Sequence, residues 1–73
     1  MREVIGERLK YLLERSRITR LQLAEEMGTC PGVVNKWCRG VVLPGTVYIA
    51  KLAHYFHVSS DYLLGISNIE QYY

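Results

Sequence analysis

The residues Gly28-Thr29-Cys30-Pro31 limit the fold of this chain more than any other stretch. Glycine enters the left-handed backbone region without steric cost, and helices commonly stop on such a residue. Proline lacks an N–H and suits the first turn of a helix, where that donor has no partner in any case. One helix is therefore expected to stop at Gly28, and the next to start at Pro31 with Cys30 as its N-cap. Thr29 alone separates the stop from the new start. Ala24, four residues before the stop, falls where the two helices cross, and a larger side chain there would push them apart.

The flanking sequence supports a helical reading on both sides. Ile5, Leu9, Leu12 and Leu13 recur at helical spacing between charged residues, which predicts a helix over about 3–16. Thr19 is a suitable N-cap for a helix over about 20–27, with Leu21, Leu23, Ala24 and Met27 along it. The third helix is expected over about 31–39, ending at Gly40, with Val34 and Trp37 inward and Cys38 beside them. After the loop VVLPG, a fourth helix over about 46–56 turns Ile49, Leu52, Ala53 and Phe56 inward. Ser59 caps a short last helix, about 60–65, with Asp61 in its first turn, where the helix dipole favours an anion, and Gly65 at its end. The fold class is all-α: five short helices, no strand and no repeat.

Composition narrows the function. A chain of 73 residues suits one small domain and is marginal in stability alone, yet 49% of it is hydrophobic. Residues 1–39 hold eight basic and five acidic side chains, a balance of +3; residues 40–73 hold one and two, a balance of −1. The basic half is the candidate surface for an anionic partner, although a solvated helix face gives the same count. The stretch MREVIGERLK is charged, so no secretory leader is expected, and no apolar run approaches the ~18 residues of a membrane span. Cys30 and Cys38 on one helix would lie about 12 Å apart, too far for a disulfide, and free thiols suit a reducing cytoplasm. There is no CxxC pair, and His54 and His57 are distant from both cysteines along the chain, so no metal or other cofactor is expected. No nucleophile–base pair or phosphate loop supports an enzyme.

A small residue at Ala24, a glycine at Gly28 and a β-branched residue at Val34 are the spacings of a helix-turn-helix. Here the chain resembles the phage repressor/Cro family, of lambda-repressor-like or XRE type. The resemblance rests on IGERLKYLL, ITRLQLAEEMG, NKWCRG, LP at 43–44 and IAKLAHYFHVSSDYLLG, with V-S-x-D-Y-L-L-G at 58–65 fairly specific. It covers roughly residues 5–65 and implies a compact five-helix DNA-binding domain over 1–66, followed by a tail, 67–73. It further implies a regulator, of phage or prophage type, that represses transcription by binding operator DNA as a dimer.

Position by position, the resemblance puts Thr19 and Arg20 against the DNA backbone and the first turn of the third helix in the major groove. Pro31, Gly32 and Val33 fall at the base-facing positions, with Asn35 and Lys36 at the margin. Arg39 falls near the backbone, and a phosphate is one candidate partner for the indole N–H of Trp37. The sequence departs from the family here. Pro31, Gly32 and Val33 offer no side-chain hydrogen bond to a base edge, and Val41 and Val42 stand where relatives often carry basic residues. Weak or shape-driven recognition is the expectation. Many relatives pair an Arg at the position of Leu13 with a Glu at that of Cys38; here both are replaced, which predicts that Leu13 and Cys38 are buried together.

The C-terminal third holds Tyr55, Tyr62, Tyr72 and Tyr73 among Leu63, Leu64, Ile66 and Ile69. Such a cluster reads as an interface or as a tail folded back on its own domain. The dimer interface is accordingly expected at Tyr62, Leu63, Ile66, Ile69 and Tyr72. The alternative is a protein-interaction module on the same fold, antitoxin-like or otherwise partner-binding, with weakened or lost DNA reading.

Overall fold

The periodicity of the N-terminal third resolves into helix α1, Arg2–Ser16, in a computed structural model that describes residues 2–66. Four further helices follow among the described residues: α2 Arg20–Met27, α3 Pro31–Cys38, α4 Thr46–Phe56 and α5 Ser60–Leu63. The third and fifth stop one and two residues short of their sequence-based limits, because the chain turns at Gly40 (φ 74°) and Gly65 (φ 80°). None of these helices is long and apolar enough to cross a membrane.

Local chemistry sets each boundary. Thr19 Oγ1 accepts from the Gln22 amide at 3.0 Å, and the Gln22 side chain accepts from the Thr19 amide at 2.7 Å. This reciprocal cap fixes the start of α2. Gly28, at φ 73°, ends it, and the next amide, Thr29 N–H, donates to Ala24 O at 2.9 Å. Cys30 is the N-cap of α3 but forms no side-chain cap bond, and Pro31 is at the start of the helix. His57 ends α4 in the left-handed region at φ 57°. Ser59 Oγ accepts from the Tyr62 amide at 3.0 Å and starts α5.

One face of each helix forms a single core. Ile5, Leu9, Leu12, Leu23, Ala24, Val34, Leu52 and Leu63 have no exposed surface. Leu13 and Cys38 are both buried in this core, as the absence of the charged pair predicted. The Trp37 ring packs on that of Tyr48, centroids 5.0 Å apart. Arg8 joins the first helix to the last: its Nη1 donates to Tyr62 O at 2.9 Å, and its guanidinium lies 4.2 Å from the Tyr62 ring centroid.

Two expectations for the C-terminal third are corrected. Tyr62 and Leu63 are core residues rather than an interface; Leu63 has 0% exposure, and Tyr62 stacks under Arg8. Ile66 is 70% exposed and stays available. Ile69 and Tyr72 lie, with the tail, outside the described residues.

The tightest approach involves Gly6. A Cβ there would lie 2.7 Å from Cys38 O and 2.8 Å from Trp37 O, so α1 rests directly on the last carbonyls of α3. Those oxygens are backbone and cannot swing aside. Gly6→Ala should therefore lose stability despite the better helix propensity of alanine: about 1–3 kcal/mol by the usual cost of overpacking. Urea unfolding measures it, and a variant as stable as the parent would refute this reading of Gly6.

Candidate nucleic-acid interface

Helix α3 is fixed on its inner side by Val34, Trp37 and Cys38, all buried. With 3.6 residues per turn, its remaining positions form the outer side. Gly32, Lys36 and Arg39 are exposed there, while Pro31, Val33 and Asn35 are half-buried. Val33 packs partly against the core, so only part of its side chain remains for an apolar contact. A Cβ on Gly32 would meet nothing within 4 Å. Neither packing nor a left-handed backbone calls for glycine at this position, and its effect is to leave the first turn of α3 open to close approach.

The structure brings Arg20 and Asn35 together. Arg20 opens α2, and its Nη1 donates to Asn35 Oδ1 at 2.5 Å across the crossing of the two helices. Thr19 is exposed beside it, but its hydroxyl already accepts the capping bond. Of the polar residues expected at DNA, Thr19, Lys36 and Arg39 are thus exposed, and Arg20 and Asn35 are half-buried and in contact with each other. The loop after α3 folds back over its C-terminal end, where the Val41 amide donates to Lys36 O at 3.0 Å. Val41, Val42 and Leu43 are exposed there, and Val47 at the start of α4 is 67% exposed.

Trp37 is 2% exposed and its ring is packed in the core against Tyr48, so it can offer this surface no more than an edge of the indole. Sequence reasoning also missed two residues. Gln22 completes the cap of α2, and the spacing Thr19-x-x-Gln22 carried that signal. Gly6, which sets the approach of α1 to α3, had no comparable sequence signal.

The turn-linked helices α2 and α3, with donors arrayed along the outer side of α3, define the class as a helix-turn-helix domain. The sequence matches the helix-turn-helix family over residues 9–63. The chain belongs to that family, in its XRE-type form, and is a DNA-binding transcriptional regulator. Among solved structures it is similar to the solution structure of the SOS-response transcriptional repressor LexA from Eubacterium rectale, with a TM-score of 0.81 and 28% identity. That match covers 96% of this chain and 69% of the other. No curated protein matched the sequence.

The two thiols differ in environment: Cys30 is exposed and Cys38 buried. Burial pushes the Cys38 thiol above its ordinary pKa, and the nearby charges of Arg20 and Lys10 offset part of that rise. The folded protein thus keeps the Cys38 proton to higher pH than the unfolded chain does. The associated stability is present below the ordinary thiol pKa of about 8.5 and is lost as pH rises through the folded value. In a thiol-labelling experiment at pH 8, Cys30 should react promptly and Cys38 only on unfolding. Equal labelling of both in the folded protein would contradict the burial.

Proposed function

We propose that this regulator represses transcription by binding operator DNA as a homodimer, in the manner of phage or prophage repressors, with α3 in the major groove and α2 abutting the backbone. The observation that carries this reading is the shared outer side of α3, where Gly32, Asn35, Lys36 and Arg39 lie beyond a firmly packed inner side. Arg20 reaches the same surface from α2. The similar LexA structure is of a transcriptional repressor, which supports the direction of control. Ile66, exposed just beyond α5, is the described residue that remains suited to a dimer contact.

The side-chain inventory supports a reader of limited grip. Lys36 and Arg39 are cations on the outer side of α3, whereas the following loop presents Val41, Val42 and Leu43. Few phosphates would be neutralised, so binding should be modest and its salt dependence shallow. The same apolar loop favours a second reading, in which this surface docks a protein partner. Stoichiometric co-purification of a protein, with no DNA binding, would promote that alternative.

Titration against duplex DNA at ~50 mM salt tests the proposal, because electrostatic attraction is strong there; absence of binding would sink it. Lys36→Ala and Arg39→Ala should each weaken binding and, where the side chain meets a phosphate, reduce the slope of log affinity against log salt by about one. Sedimentation of the complex on a two-fold symmetric site should show two chains per duplex. One chain per duplex would refute the dimer.

A further inference from the structure

Among the side chains of α3, Asn35 supplies the single oxygen, Oδ1. It is already engaged: Arg20 Nη1, 15 residues earlier in the chain, donates to it at 2.5 Å. Chemistry decides which end of the amide faces Arg20, because a guanidinium has donors and no acceptor. The bond is charge-assisted and half-buried, which makes it stronger than an exposed neutral one.

We propose that Arg20 sets the base preference of α3 by holding Asn35 Oδ1, so that Asn35 meets DNA as a donor. This inference rests on the DNA-binding reading above. An unrestrained asparagine pairs with adenine through both ends, accepting from N6 and donating to N7. With a guanidinium on its oxygen, an adenine amino group would bring a further donor to an atom already beside a cation. Guanine offers the acceptors N7 and O6, and thymine offers O4. Lys36 and Arg39 on the same outer side also only donate. The polar side chains available to base edges are therefore donors, matched to guanine and thymine and mismatched to the amino groups of adenine and cytosine. Arg20 is a positioning residue in this scheme, acting on the base through Asn35.

Selection of sites from random duplex DNA, using the whole chain, tests the coupling. Wild type should select guanine or thymine at the position whose preference disappears in Asn35→Ala. Arg20→Ala should move that one position toward adenine, by on the order of tenfold in relative affinity. Arg20→Lys retains a donor and should restore the original preference. Asn35→Asp keeps a bond to Arg20 and removes the amide donors. It should fold as wild type and lose the guanine or thymine preference, which keeps the test decisive if Arg20→Ala unfolds. The proposal is overturned if Arg20→Ala binds all sequences more weakly with its preference unchanged, or if Asn35→Asp retains the wild-type preference. Wild type that binds no DNA would overturn the DNA reading itself, an outcome distinct from either.

Discussion

The contact between Gly6 and the last carbonyls of α3 is the constraint on which this small domain depends. Side chains normally hold two helices 8–10 Å apart, axis to axis. At Gly6 there is no side chain, and a single added carbon would lie 2.7 Å from Cys38 O. Close approach here lets Ile5 and Leu9 reach full burial on the same core as Val34. The first helix thereby fixes the angle at which the outer side of α3 leaves the body of the protein. A chain of 73 residues has little core to spare, so one backbone-to-backbone contact carries unusual weight.

Two polar ties between helices support this arrangement. Arg8 links α1 to Tyr62 through a hydrogen bond and a ring contact, anchoring a last helix of only four residues. Arg20 links α2 to Asn35 of α3. The latter replaces nothing in the core. The positions of Leu13 and Cys38, where relatives often place a charged pair, are filled by apolar burial instead. Ion pairing inside such a domain is often dispensable when both partners change together. Among the described residues, no charged side chain is buried.

Much of this was legible in the sequence, for local reasons. Helix starts and stops are decided by neighbours in the chain: Thr19 with Gln22, Gly28, Pro31 and Ser59. Inward positions follow from the 3.6-residue period, which placed Val34, Trp37 and Leu52 correctly. What could not be read depends on distance in space. Arg20 and Asn35 are 15 residues apart, and only the crossing of α2 and α3 makes them partners. A mid-helix glycine such as Gly6 reads as a propensity cost until the opposing carbonyls are seen. Tyr62 and Leu63 were assigned to an interface because apolar residues late in a short chain look alike whether they face a partner or their own core. That the Trp37 ring packs on Tyr48, from the following helix, likewise depends on distance in space.

The loop of Val41, Val42 and Leu43 has a consequence for how such a regulator finds its target. A genome presents a vast excess of random sites, and attraction to them comes almost wholly from phosphate neutralisation. If α3 enters the major groove as proposed, a loop without cations at its edge weakens that attraction at every site. Less of the protein is then sequestered on irrelevant DNA, and each pause there is shorter. Selectivity in a crowded chromosome is a ratio of affinities, and a phosphate contact missing at target and random sites alike cancels from it, so base contacts alone would have to set that ratio.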